Sequence, residues 1–583
     1  MHRRPDPLMT GTVRFRRMVA RAPQARVRAG RDGIVYLSHP ASLRPAARNL
    51  IDLLVRAIRK HGPRPFLHER VGEGWRGLTY DAFGEAVARR AGALAGRGVE
   101  AGEVVAILSG NSLDHAVTSF AVMALGAVVA PLSPAHLAHA AGRTLLRDLY
   151  ERLGARKLFI DAALAEPVAE AGFEAPVPLG ILDEDLVSTP IDLAAAARRI
   201  LPEAGAKIFF TSGSTGTPKA VVNSHRMLTA SAAMVDAVSP RLPMFARPAV
   251  LDWLPWHHTY GGNINLHAVM LRGGAFYSDD GLPTPDRFAR TLKNLAEVQP
   301  TQITNVPVAY PMLIAALRND PALAKRVLKN VRACSFGGAA LSPSVVADFQ
   351  TLAVETLGER IMFGSGYGMT ETTGIIALVY WRTDRTDLLG LPLPGETVKL
   401  VPCDDGRFEC RVAGPNLFSG YLAGGVSSVF DEEGYFLTGD AVRPADPDDW
   451  SAGLIYDGRL AEDFKLSNGV WVRAGPMREV LLDALRPHAA DLLLCGANRE
   501  AVGALVWPAP GATAETRAAL QSLARTFNRD RTTASTRIAR LAIAASAPTP
   551  AEMTAKGTLN PGRVAVHRAA EIDALFLSPE AAL

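Results

Sequence analysis

Cysteine is scarce. The chain has four in 583 residues, Cys334, Cys403, Cys410 and Cys495, with no Cys-x-x-Cys pair and no metal-type spacing. This excludes a disulfide framework and a zinc-finger type of site, and it points to a reducing compartment. Long apolar runs are missing too. Residues 115–142 contain no Asp, Glu, Lys or Arg, but Gly126, Pro131 and Pro134 interrupt them and small residues and histidines dominate. A membrane span needs about 20 consecutive apolar residues. A buried helix at about 115–125 running into a buried strand, Ala127–Leu132, fits better, so the chain reads as soluble and cytoplasmic, without a transmembrane segment. Acid is missing from the start. Residues 1–31 hold nine arginines, no lysine, no serine and a single carboxylate, Asp6, a net +8 against +5 for the whole chain, which leaves −3 for the remainder. The basic pI therefore belongs to this arm and not to the body. An arm of this kind can touch an anionic surface or act as a targeting segment, and its plainer reading is a loosely ordered terminus. It lacks the apolar core of a signal peptide, and the absence of serine argues against a transit peptide.

A chain of this length exceeds what one core usually holds, so at least two domains are expected. Thr79 can cap a helix in which Phe83, Val87, Ala91 and Leu94 recur at helical spacing. Short apolar strands follow at Val104–Leu108, Leu158–Ile160, Lys207–Phe210, Ala249–Leu254 and Gln302–Val306, alternating with helices, as in α/β folds with largely parallel sheets. Ser342-Pro343 starts a helix over Val345–Leu357. After Gly395 the runs become short and β-like, at Val398–Val401, Phe408–Val412 and Leu454–Tyr456. Beyond about residue 460 comes a smaller unit with strands Val502–Trp507 and Ile538–Ala544 around a helical stretch, Ala514–Thr526. The expected fold is α/β: a large N-terminal domain (32–460) of parallel-type sheets flanked by helices with a β-rich subdomain, then a small α+β C-terminal domain (461–583), with 1–31 as the basic arm. There is no internal repeat.

Four short motifs carry chemistry. The first, Thr211, Ser212, Gly213, Ser214, Thr215, Gly216, Thr217, Pro218, Lys219, follows an apolar strand directly. Its glycines let backbone N–H groups approach an anion, its hydroxyls donate, and Lys219 adds charge, a combination suited to a polyphosphate. It is not a Walker A loop, which ends in Gly-Lys-Ser/Thr. The second is Gly366, Tyr367, Gly368, Met369, Thr370, Glu371, Thr372. Tyr367 can stack on a base, Thr370 can donate to a phosphate oxygen, and Glu371 is a hard oxygen ligand suited to Mg²⁺. The third is Thr438-Gly-Asp440 with Arg459, where Asp440 and Arg459 could serve ribose hydroxyls. The fourth is Lys556 in Thr554-Ala-Lys-Gly-Thr558, which alone would pass for a solvated turn.

In order, spacing and content these motifs resemble the adenylate-forming superfamily of acyl-CoA synthetases, peptide-synthetase adenylation domains and luciferases, over about residues 50–575. Within it, Leu251-Asp-Trp-Leu-Pro-Trp-His-His-Thr-Tyr-Gly-Gly262, Gly390-Leu-Pro-Leu-Pro-Gly395 and Asp457-Gly-Arg-Leu-Ala-Glu-Asp-Phe-Lys-Leu-Ser-Asn-Gly469 look like feruloyl-CoA synthase and its relatives. The resemblance implies ATP, Mg²⁺ and coenzyme A as cofactor and co-substrates, and a carboxylic acid activated as an acyl-AMP. It implies that residues 211–219 close on the ATP phosphates and that Gly338, Ala339 and Ala340 flank the adenine and the acyl pocket. Thr370 would contact the α-phosphate, Glu371 would hold Mg²⁺, and Asp440 and Arg459 would take the ribose. Lys556 would bridge α-phosphate and carboxylate. A mobile C-terminal domain would rotate between half-reactions, withdrawing Lys556 and presenting Lys465 and Gly469 to coenzyme A. His258 and Tyr260 match positions near the acyl group, and with Asn305, Tyr310 and Tyr367 they would wall a flat, partly polar cavity suited to an aromatic acid.

The sequence departs from the pattern in three places. The usual hinge residue, Asp or Lys, is replaced by Ala461, leaving Glu462 or Asp463 as substitutes. The stretch Lys465–Gly469 is one residue longer than usual. The run Ser365–Glu371 follows the general acyl-CoA ligase pattern more than the feruloyl variant. Other acceptors (an amine, a carrier-protein thiol, oxygen) and a fatty acid remain open as alternatives, as does a non-catalytic nucleotide-binding protein whose arm binds nucleic acid. The presence of both Lys556 and Glu371 argues against the last, because binding alone needs neither. No carrier domain is visible in the chain, and no nucleic-acid partner is expected.

Overall fold

The computed structural model describes residues 13–18, 20–44, 47–180, 188–211, 218–239, 248–403, 405–422, 429–509, 511–553 and 559–583. Six parallel strands form the centre of the larger sheet, in spatial order Pro65–Val71, Ala275–Ser278, Ala249–Asp252, Gln302–Asn305, Ala333–Gly337 and Met362–Tyr367. The sheet then turns antiparallel through Ala377–Leu378 and Leu388–Pro392 into the β-rich part, Leu454–Arg459, Phe436–Pro444, Phe408–Ala413 and Thr397–Pro402. A second sheet holds Val104–Leu108, Val128–Leu132, Lys157–Ile160 and Gly205–Thr211, parallel to their neighbours, and closes with the antiparallel Lys219–Ser224. The fold is α/β, as the sequence implies. No helix among the described residues is long and apolar enough to cross a membrane.

Local chemistry accounts for the main elements. Helix Tyr80–Gly96 is capped by Thr79, whose hydroxyl accepts from the Ala82 N–H at 3.1 Å, and Phe83, Val87, Ala91 and Leu94 are completely buried. The uncharged stretch 115–142 begins in helix Leu113–Ala124, capped by Ser112, and continues into strand Val128–Leu132. The helix and Val129 pack into one buried core and Val128, Ala130 and Leu132 into another, surroundings in which an unpaired charge is costly. Helix Pro343–Leu357 carries its proline at the start and stops at Gly358, whose φ of +70° lies in the left-handed region.

The C-terminal unit has its own core. Leu466 and Val472, from the small hairpin Phe464–Lys465/Trp471–Val472, pack with Leu481, Leu485, Val506, Leu520 and Ile538. The sheet beneath is Ala489–Cys495, Val502–Pro508 and Ile538–Ile543. At the junction, Ala461 lies in a short 3₁₀ turn, Leu460–Glu462. Asp463 is held from both sides: Oδ2 accepts from Arg407 at 2.6 Å, and Oδ1 accepts from the Ala474 N–H at 3.1 Å.

The loose terminus expected for residues 1–31 does not hold for their described part. Arg26–Ala29 pairs with Val35–Ser38, which joins the edge of the β-rich sheet beside Thr397–Pro402. The Arg16 guanidinium donates to the carbonyls of Leu328, Lys329 and Val331 at 2.7–2.8 Å. These lie at and just past the end of helix Pro321–Leu328, where carbonyls lack helical partners and a cation is favoured. Arginine density, read as disorder, is here partly a set of helix-end contacts. Replacing Arg16 by Ala is expected to lower unfolding stability by about 2 kcal/mol. A urea titration checks this: the midpoint falls, the slope is unchanged, and turnover per folded molecule stays the same.

Candidate active site

Parallel pairing puts the carboxyl ends of neighbouring strands on one edge. Asp252 and Trp253, Asn305, Gly337 to Ala340 and Tyr367 to Thr372 come from four such ends and meet there. Gly338 has a φ of +82° with open space around its Cα, and Ala339 and Ala340 beside it are exposed. Gly368 is required sterically, since a Cβ there would lie 2.4 Å from the Gly374 backbone, so the turn 368–374 folds tightly on itself. Asn416, completely buried, pins this turn by donating to the carbonyls of Thr372 and Ile375 at 3.1 and 2.6 Å.

The phosphate-loop motif joins two paired strands, with Lys219 directly across from Thr211. Ser212, Gly213, Ser214, Thr215, Gly216 and Thr217 lie outside the described residues, as does Lys556. Lys219 Nζ sits 4.9 Å from the centre of the Tyr421 ring, and Tyr421 donates its hydroxyl to Glu371 Oε1 at 2.9 Å. The carboxylate proposed for the metal is therefore positioned beside the phosphate-loop lysine. Among the described residues no group of three or more His, Cys, Asp or Glu side chains could cage an ion. One carboxylate fits Mg²⁺ carried on a polyphosphate, since Mg²⁺ keeps several waters and takes few protein ligands.

Tyr367 donates its hydroxyl to Asp440 Oδ2 at 2.6 Å. Asp440 faces Arg459 across adjacent strands, and Oδ1 lies 3.2 Å from Arg459 Nε without a formed hydrogen bond inside the protein. Burial pushes the Asp440 carboxyl up, opposed by Arg459 and by the Tyr367 hydroxyl. A buried acceptor with a spare lone pair next to a half-exposed guanidinium suits a diol such as a ribose.

Of the residues expected near the acid, Tyr260 opens a π-helical turn, Tyr260–Asn265. Its ring lies against Gly337, where a Cβ would stand 3.4 Å away, and burial raises its hydroxyl pKa. His258 packs beside His257 with ring centroids 4.6 Å apart, and burial holds His257 well below the usual imidazole range, hence neutral. Lys207 Nζ donates to the Gly262 carbonyl at 2.7 Å, and burial brings its pKa down to about 7. A small pocket opens at the ends of strands Ala249–Asp252 and Gln302–Asn305, where Trp253, Thr304 and Asn305 meet apolar walls that include Phe288, Leu295 and Leu313. Asn305 accepts from the Trp253 indole at 3.0 Å. Tyr310 is a correction. It is 1% exposed, donates to the Ser335 carbonyl at 2.8 Å, and packs against Phe349 and Phe363, so its hydroxyl is already used inside the core.

Lys465 and Gly469 lie on the C-terminal hairpin. Lys465 rests 4.9 Å from the Trp471 ring centre, and Gly469 adopts a φ of +83° in its turn. Sequence reasoning missed Tyr421, Asn416 and Asn223, which donates to the Thr370 carbonyl at 3.2 Å. Each acts across a gap of at least 40 residues, so no local spacing signals it.

Fold and site together define an enzyme of the adenylate-forming class. The chain belongs to the AMP-binding enzyme family, whose model matches residues 54–422, and the model of the AMP-binding enzyme C-terminal domain matches residues 462–580. It is 27% identical over 450 residues to 4-coumarate–CoA ligase-like 2 of Arabidopsis thaliana, covering 71% of this chain and 74% of that one. It is 26% identical over 484 residues to a long-chain-fatty-acid–CoA ligase of Thermus thermophilus, covering 76% and 82%. The fold matches an anthranilate CoA ligase solved with anthranoyl-AMP at a TM-score of 0.70 and 18% identity, over 91% of this chain and 99% of that one.

Asp440→Asn keeps the shape and removes the charge that faces Arg459. AMP affinity is expected to fall about tenfold, corresponding to one charge-assisted hydrogen bond of about 1.4 kcal/mol. Calorimetric titration with AMP checks it, alongside a melting curve that should move little.

Proposed function

We propose that the chain is an acid–coenzyme A ligase acting on an aromatic carboxylic acid, with a hydroxycinnamate such as ferulate the foremost candidate. The observation that carries the aromatic reading is the pocket at the strand ends. It sets the Trp253 indole and the Asn305 amide beside apolar walls from Leu251, Phe288, Leu295, Ile303 and Leu313, a mixture that suits a flat ring bearing a polar substituent. The 4-coumarate-type relative supports it, and the long-chain-fatty-acid relative marks the alternative.

The chemistry follows from charge. The acid's carboxylate oxygen attacks the α-phosphorus of ATP, the bond to the bridging oxygen breaks, and diphosphate leaves toward residues 211–219. Lys556 places an ammonium between the two anions, and Thr370 donates to the α-phosphate. Mg²⁺ on Glu371 supplies further neutralisation of the polyphosphate when bound. The coenzyme A thiol, losing its proton, then attacks the acyl carbon and AMP departs. For this step the domain beyond residue 460 turns about Leu460–Glu462, bringing Lys465 and Gly469 over the site in place of Lys556.

Lys556→Ala is expected to slow ATP–pyrophosphate exchange by about two to three orders of magnitude, while thioester formation from pre-made acyl-AMP changes little. Equal losses in both would make Lys556 structural. Tyr421→Phe should raise the Mg²⁺ concentration for half-maximal exchange about fivefold, the effect of one lost hydrogen bond to Glu371. The substrate class is tested by kcat/KM across ferulate, 4-coumarate, cinnamate, benzoate, hexanoate and palmitate with coenzyme A in excess. A hydroxycinnamate is expected to exceed hexanoate at least tenfold, from the cost of unpaired polar groups. A preference for palmitate or hexanoate overturns the aromatic assignment.

A further inference from the structure

The strand after the phosphate loop, Lys219–Ser224, turns two fully buried side chains inward, Val221 and Asn223. Valine belongs there. A primary amide does not, unless its donors and acceptor are all engaged. Asn223 Nδ2 donates to the Thr370 carbonyl at 3.2 Å. Asn223 Oδ1 accepts from Asn263 Nδ2 at 3.0 Å, and the same Asn263 nitrogen reaches Thr259 Oγ1 at 3.0 Å. The amide orientation follows from this network: only an NH₂ can face the Thr370 carbonyl, so the oxygen must face Asn263. One end of the relay is the turn carrying Thr370 and Glu371. The other is the π-helical turn that follows His258 and Thr259 and begins with Tyr260, and π-turns inside helices frequently mark functional sites. The two segments also touch directly, since a Cβ on Gly374 would stand 3.3 Å from Thr259 Oγ1. Asn223 itself sits four residues after Lys219, and so ties both segments to the strand that leaves the phosphate loop.

We infer that Asn223, through Asn263, is a positioning residue that fixes the acid-binding turn and the nucleotide-binding turn at one separation, so that the acid's carboxylate meets the α-phosphate in line. The inference rests on the acid-activating reading above. It concerns adenylation specifically, because that step joins an atom held by one turn to an atom held by the other. An error of about 1 Å in such a distance costs about a hundredfold. In acyl-AMP the bond is already made, so the second half-reaction should be largely insensitive.

The experiment uses the full chain and compares Asn223→Leu, Asn263→Ala, the double variant and Asn223→Asp. Asn223→Leu is expected to lower kcat for ATP–pyrophosphate exchange about 10- to 100-fold, with KM for ATP and acid and the conversion of pre-made acyl-AMP each within about threefold. The double variant should lose no more than the worse single one. Asn223→Asp gives a readout that packing alone would not move. As a carboxylate it repels the Thr370 carbonyl, and as a protonated carboxyl it can donate to it again. Its activity relative to the parent chain should therefore rise as pH falls from about 9 to 6. Equal losses in both half-reactions, additive losses, or a pH-independent deficit in Asn223→Asp overturn the inference. If the parent chain exchanges pyrophosphate with no acid, the ligase reading fails instead. The relay is then read by amide hydrogen exchange, where Asn223→Leu must loosen both 259–265 and 368–374, and exchange raised only within 219–224 overturns it.

Discussion

Parallel strand pairing is the constraint on which the site depends. A parallel strand returns by a crossover, so every turn that leaves a strand's carboxyl end lies on the same edge. Residues from 252 to 372 are collected there by hydrogen-bond register alone. The chemistry then needs only short turns with the right donors, and those turns are glycine-rich because they fold tightly, as at Gly368. The region proposed for the ribose is built differently: Asp440 and Arg459 lie opposite each other on antiparallel strands, a register that holds a carboxylate and a guanidinium in fixed partnership.

Much of this was legible in the sequence, and the reasons are local. Strand Val104–Leu108 and the helix capped by Thr79 were readable because apolar periodicity and a cap act within a few residues. The Gly-Met-Thr-Glu and Thr-Gly-Asp motifs stood out in the sequence because a turn suited to an anion has few chemical solutions. What stayed hidden is long-range. Tyr421 reaches Glu371 from 50 residues away, and Arg16 reaches Leu328 from 312. Tyr310 carries the same aromatic signal as Tyr260, but helix Ala309–Asn319 turns it into the core while Tyr260 lies against Gly337 at the strand ends. Only the fold separates the two.

The junction near residue 460 shows how a missing side chain can be accommodated. Ala461 brings no charge of its own. A buried ionic contact between the large and small units lies two residues on, where Asp463 takes Arg407 on one oxygen and the start of helix Ala474–Leu485 on the other, and Arg473 pairs with Asp405 and Asp457. Arg473 adds a bond to the Asp405 carbonyl. Rotation about this junction must therefore break or carry along a partly buried ion pair, which sets its barrier more by electrostatics than by the flexibility of the turn.

The Tyr367–Asp440 contact has a consequence for the folded state as a whole. Tyr367 ends the last parallel strand, and Asp440 belongs to the antiparallel region. A nucleoside held by both would act as a removable cross-link between two halves of one sheet. At a hundred times its dissociation constant such a ligand adds about 2.7 kcal/mol to folding. The protein's lifetime against unfolding would then follow the nucleotide content of its surroundings.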